Sequence, residues 1–97
     1  MTDLEITRLC AEAMGLRWKQ NGEHIFDLLG EYCPLHDDVK AMGLVKKFSL
    51  HCEKVGSWWE IESITGFIGS HSDLNRAICG CVARMQIYHR DSHKALS

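Results

Sequence analysis

Leu74-Asn75-Arg76-Ala77-Ile78-Cys79-Gly80-Cys81-Val82-Ala83-Arg84-Met85 is the stretch that decides the fold. Within it Leu74, Ala77, Ile78, Cys81, Val82 and Met85 recur at i, i+3, i+4, i+7, i+8 and i+11, which is one face of an α-helix. The same spacing opens the chain at Ile6, Leu9, Cys10, Ala13 and Met14, and an aromatic stretch with strand-like character lies between. Two amphipathic helices around strands define a small α+β domain.

Bulk properties narrow the class. Ninety-seven residues suit one domain. A hydrophobic fraction of 45% and a charged fraction of 25% are those of a globular chain. The net charge of −2 leaves no basic surplus, which argues against a dedicated nucleic-acid binder. No apolar run reaches the ~18 residues of a membrane span. Met1-Thr2-Asp3-Leu4-Glu5 is acidic and has no signal-peptide core, so a cytoplasmic protein with no membrane partner is expected. Five irregularly spaced cysteines read as reduced thiols. Cys10, Cys52 and Cys81 are expected in the core, with Cys33 and Cys79 near its edge.

Outward from the last helix, start and stop signals divide the chain. A first helix is predicted from about Asp3 to Met14, capped by Thr2 with Glu5 three residues on, and ended by Gly15. Leu16 to Lys19 and His24 to Leu29 read as strands around an Asn21-Gly22 turn. Gly30 to His36 reads as a loop. A second helix follows from near Asp37 to about Lys47, with Asp37 and Asp38 at its positive end and Lys46 and Lys47 at its negative end. Phe48 to Val55 and Trp58 to Thr65 read as two strands around Gly56-Ser57. Gly66-Phe67-Ile68-Gly69 is either a short extension or a loop. Ser70, Ser72 or Asp73 caps the last helix, which is predicted to run to about Tyr88. The order is α-β-β-α-β-β-α, a single domain over 1–88 with a flexible tail over 89–97. Trp58 and Ile64 alternate with Trp59 and Ile61, so both faces of that strand carry apolar residues, which favours an αβα sandwich.

Several stretches also resemble a known family. Leu9-Cys10-Ala11-Glu12-Ala13-Met14-Gly15-Leu16-Arg17-Trp18 is similar to the opening "L-x-A-E-x-x-M-G-x" of the phage ABA sandwich domain. Tyr32 to Val45, with Asp37, Asp38, Ala41 and Val45, is similar to that family's second-helix region, and Asn75-Arg76-Ala77-Ile78-Cys79 to its final helix. The resemblance implies an αβα sandwich and a phage or prophage origin. It implies no activity, and Met14, Gly15, Ala77 and Ile78 would then be packing and capping positions. The surroundings of Cys52 and Trp58-Trp59 depart from the family's pattern.

Chemistry-bearing residues are sparse. Cys33-x-x-His36 with His51-Cys52 offers zinc-type ligands, but adjacent residues on a strand point to opposite faces. Cys79-x-Cys81 diverges by ~200° on a helix. Cys33, His36 and Asp37 are close enough in sequence to suggest a nucleophile and base; a water-accessible pocket gathering them would favour that chemistry. Gly66-x-x-Gly69 lacks the Lys of a phosphate loop. His89 and His93 share a helical spacing in the expected tail. Arg76, Arg84, Arg90 and Lys94 on the last helix form no clean stripe for nucleic acid.

The sequence therefore predicts no enzyme, no metal site and no cofactor. Trp58 and Trp59 must face apart, so either both are buried or one is exposed and marks an interaction surface. That surface would comprise Trp58, Trp59, Glu60, Glu62 and Phe67. The expected role is a phage or prophage accessory protein acting as a non-enzymatic interaction module on a host or phage protein. Antagonism of a host defence system and a small metal- or ligand-binding domain are the alternatives.

Overall fold

The computed structural model describes residues 1–96, with side chains to Asp91. Its elements run α1 (Asp3–Ala13), β1 (Lys19–Asn21), β2 (His24–Asp27), β3 (Gly30–Glu31), α2 (Asp38–Phe48), β4 (His51–Val55), β5 (Trp58–Glu62), β6 (Ile68–His71) and α3 (Leu74–Leu96). The α+β class and the three helices are as expected. The strands divide differently. They form two antiparallel three-stranded sheets, β1-β2-β3 and β4-β5-β6, because each expected hairpin gains a third strand. Gly30–Glu31, expected in a loop, pairs with β2, and Ile68–His71 pairs with β5. Phe48, expected to open a strand, instead closes α2.

Local chemistry explains the boundaries. Thr2 Oγ accepts the Glu5 N–H at 3.1 Å and starts α1. Gly15, at φ +70°, ends it: Leu16 N–H reaches Ala11 C=O and Gly15 N–H reaches Glu12 C=O, the paired bonds of a Schellman motif. Asp37 caps α2 by accepting from Val39 and Lys40 N–H. Asp73 accepts the Arg76 N–H and caps α3. Gly22 and Gly56 each take φ +62° at the first position of a two-residue hairpin loop, the sign such tight turns need.

α3 is the centre of the molecule. It packs against α1 and α2 and also against β5 and β6, while α1 rests additionally on β2. Asn75, Ala77, Ile78, Cys79, Cys81, Val82 and Ala83 are consequently all buried, so this helix is enclosed around most of its girth. Cys79 corrects one expectation: it is fully buried rather than near the edge, because α1 covers its side of α3 and the Cys10 thiol donates to its carbonyl at 3.6 Å. Ile25, Leu44 and Ile61 complete the core from β2, α2 and β5. Each such side chain contributes about 1.5–3 kcal/mol by burial.

Two polar ties fix the helix starts around α3. Arg76 donates to the two Asp3 carboxylate oxygens through its terminal nitrogens Nη1 and Nη2, at 2.7 and 2.8 Å. Asn75 donates to Asp38 at 2.8 Å. α3, expected to end near Tyr88, continues to Leu96. The flexible tail expected over 89–97 falls for its greater part on residues (92–97) outside those whose side chains are described. Among the described residues no helix is long and apolar enough to cross a membrane.

Candidate interaction face on the second sheet

The β4-β5-β6 sheet has one covered side and one open side. Ile61 is fully buried toward α3, and Trp59 and Cys52 are half-buried on the same side. Register defines the other side. Glu60 pairs with Glu53 on β4 and Ser70 on β6, Trp58 pairs with Val55, and Glu62 pairs with His51 and Ile68. All of these are exposed, and no described helix covers this face of the sheet. Trp58 is 50% exposed, since all three helices are committed to the other side of the sheet or to each other, and Ile64, expected in the strand, lies instead in the β5–β6 turn at 81% exposure.

The five residues expected to form the surface are therefore divided. Trp58, Glu60 and Glu62 share the open face. Trp59 turns inward with Lys54 Nζ 5.8 Å from its ring centre. Phe67 is held in the β5–β6 connection, where its N–H donates to Ser63 Oγ at 2.9 Å and its ring meets Tyr88 at 5.2 Å. The residues that strict alternation adds to the face are His51, Glu53, Val55, Ile68 and Ser70, a signal present in the sequence once the third strand is recognised.

The electrostatics of the face are one-sided. Glu53 and Glu60 stand directly opposite each other, and neither they nor Glu62 has an ion pair or hydrogen bond among the described residues. The only lysine or arginine in the three strands is Lys54, on the covered side, while His51 stands opposite Glu62 on the open one. Directly opposed like charges weaken a sheet. Trp58 has one ring neighbour, His71, edge-on at 5.9 Å.

A second concavity lies between the start of α1 and the first sheet. It is a groove of about 750 Å³ whose floor includes Ile25, Tyr32 and Leu35, with Cys33, His36 and Asp37 along one wall and His24 beside Glu31. The structure thus brings Cys33, His36 and Asp37 to one accessible place. Their chemistry there is quiet: burial pushes the Cys33 thiol up, the opposite of what an activated nucleophile needs. The backbone N–H of His36 donates to the Cys33 carbonyl at 3.1 Å, which turns the chain there without involving the imidazole, and the Asp37 carboxylate is the α2 cap. Among the described residues no three His, Cys, Asp or Glu side chains converge to hold a metal ion. His51 and Cys52 face opposite ways, as expected for neighbours on a strand.

The α3 cations considered for nucleic acid are engaged within the fold. Arg76 holds Asp3, Arg84 donates to the Ile68 carbonyl at 2.8 Å, and Arg90 lies 3.6 Å from Glu12. Lys94 and His93 lie outside the described side chains. The fold and the open face define an α+β domain with an uncovered acidic and aromatic sheet surface. No family model, curated protein or solved structure matches the chain.

Proposed function

We propose that the chain is a non-enzymatic protein-interaction module whose contact surface is the open face of β4-β5-β6. The observation that carries this reading is Trp58, half-exposed on a helix-free sheet face beside carboxylates that have no ion pair among the described residues. Large exposed aromatics are enriched at interaction surfaces, where they supply most of the binding energy. Burial, which pushes the Cys33 thiol up, supports a role without nucleophilic chemistry. A phage or prophage setting, and within it antagonism of a host defence system, rests on the resemblance described above and is independent of this face.

The test compares cross-linked partners of the wild-type chain with those of Trp58→Ala and of Val39→Ala, a control at an exposed position on α2. Partners lost with Trp58→Ala and retained with Val39→Ala are the expected result. Partners indifferent to Trp58 would refute the reading. The 750 Å³ groove favours a second reading, a small-ligand site. Its mark would be a compound that raises the melting temperature of the wild-type chain but not of Glu31→Gln.

A further inference from the structure

We propose that the open face of β4-β5-β6 takes an extended, arginine-bearing segment of a partner protein, an inference that rests on reading this face as the contact surface. Three observations select that occupant. The first is charge. Glu53, Glu60 and Glu62 share the face with no lysine or arginine among them, its one ionisable base being His51 opposite Glu62, and the directly paired Glu53 and Glu60 gain most from a cation placed between them. A second copy of this chain would bring the same carboxylates and be repelled. The phosphates of a nucleic acid would be repelled too.

The second observation is how this chain treats its indoles. Arg8 lies 5.6 Å from the Trp18 ring centre and Lys54 lies 5.8 Å from that of Trp59. Trp58, the most open of the three, has no such cation among the described residues. A cation carried in by a partner completes the pattern. Guanidinium suits the place better than ammonium, because its plane stacks on an indole while its edge reaches a carboxylate through two hydrogen bonds.

The third observation is size. Strands about 4.8 Å apart with a rise of about 3.3 Å per residue give this face roughly 14 by 17 Å. That accommodates a short extended segment and falls well below the ~800 Å² per partner of a standard globular interface. Val55 and Ile68, both about half-exposed, supply apolar contact beside the indole.

The experiment titrates the full chain with a short arginine-rich peptide, its lysine counterpart, its glutamate counterpart and a single-stranded oligonucleotide. Calorimetry at low and high salt is the readout. The arginine peptide is expected to bind, to weaken steeply with salt, and to exceed the lysine peptide several-fold. Trp58→Ala is expected to lose about tenfold in affinity, the size of a partly desolvated cation–π contact. Glu60→Gln with Glu62→Gln is expected to lose a similar factor, and Glu5→Gln with Glu23→Gln, elsewhere on the surface, very little. All four side chains in the paired variants are exposed, so melting curves should stay close to wild type.

No binding of the arginine peptide overturns the inference. So does binding undiminished in Trp58→Ala, an equal loss in the control pair, or a preference for the glutamate peptide or the oligonucleotide. The two proposals fail separately. An uncharged partner captured through Trp58 sinks this inference and leaves the interaction reading standing, whereas capture indifferent to Trp58 sinks that reading itself.

Discussion

Gly69→Ala should be the most damaging small substitution in the second sheet. A Cβ built at Gly69 falls 2.2 Å from the Ala77 carbonyl oxygen, 2.8 Å from the Cys81 nitrogen and 2.9 Å from the Cys81 Cβ. The first contact is short by about 1 Å, and the obstacle is helix backbone, not a side-chain tip that can swing away. α3 cannot retreat, because α1 is packed on its far side through Cys10 and Cys79. β6 must lift instead, straining the Arg84 bond to Ile68 C=O and the Cys81 thiol contact with Phe67 C=O at 3.5 Å. Overpacking of this kind costs about 1–3 kcal/mol, and a backbone clash belongs at the top of that range. For a domain of this size about 3 kcal/mol lowers Tm by roughly 12–24 °C. Gly80→Ala is the internal control. Its Cβ meets nothing within 4 Å and it lies inside α3, so it should stabilise by about 0.5–1 kcal/mol. Thermal melts followed by circular dichroism distinguish the two. A Gly69→Ala loss below about 4 °C, equivalent to under ~1 kcal/mol, would refute the close-approach argument.

Other substitutions test separate features. Ser49 holds φ +52° at the end of α2 with an ordinary side chain, so Ser49→Gly should raise stability by about 1 kcal/mol in a denaturant melt. Among the described residues the buried Tyr32 hydroxyl has no hydrogen-bond partner, so Tyr32→Phe should be neutral or stabilising by up to about 1–2 kcal/mol; a clear loss would reveal a partner for that oxygen. Glu60→Lys replaces a like-charge pair with Glu53 by an attractive one and should stabilise by about 0.2–1 kcal/mol, an increment that salt diminishes. The two-pronged bond from Arg76 holds the Asp3 carboxyl below its usual 3.8, so its stabilisation is present above that value and is lost as pH falls through the lowered one. Asp3 is largely exposed, which limits the effect to under about 1 kcal/mol. The Tm gap between wild type and Asp3→Asn should therefore be small at neutral pH and close in strong acid.

Much of the fold was legible because helical signals are local. Thr2, Gly15, Asp37 and Asp73 stop and start helices through bonds to residues within a few positions, and the structure makes those bonds. What escaped depends on distant partners. The spacing through Leu74, Ala77, Ile78, Cys81, Val82 and Met85 defines one buried face of α3. The burial of Asn75, Cys79 and Ala83 follows only once α1 is known to cover the second side. Small residues such as Ala and Gly are at home in a core and on a surface, so Ala83 outside the main stripe does not announce a second buried side. Gly69 is the sharpest case. In Gly66-Phe67-Ile68-Gly69 it reads as turn material, yet its φ is ordinary and its reason is the α3 backbone. β3, two residues long, carries no period at all.

The candidate face was half legible for the same reason. Alternation from Trp58 to Glu62 correctly divides the two indoles between opposite sides of one strand. Which side is covered is a tertiary fact, decided by the commitment of α3 to the side bearing Trp59 and Ile61. Had a helix also covered Trp58, Glu53 and Glu60 would have been buried together unpaired, at a cost of several kcal/mol. That pair of carboxylates is thus the sequence feature that argues for an open side, and it outweighs the apolar character of Trp58 and Ile64. Folding has no use for the pair: it sits where Glu60→Lys should improve stability and where a cation from outside finds the most to gain. On the proposed reading, that opposed pair and the half-exposed indole at the same place serve contact with a partner and not cohesion of the sheet.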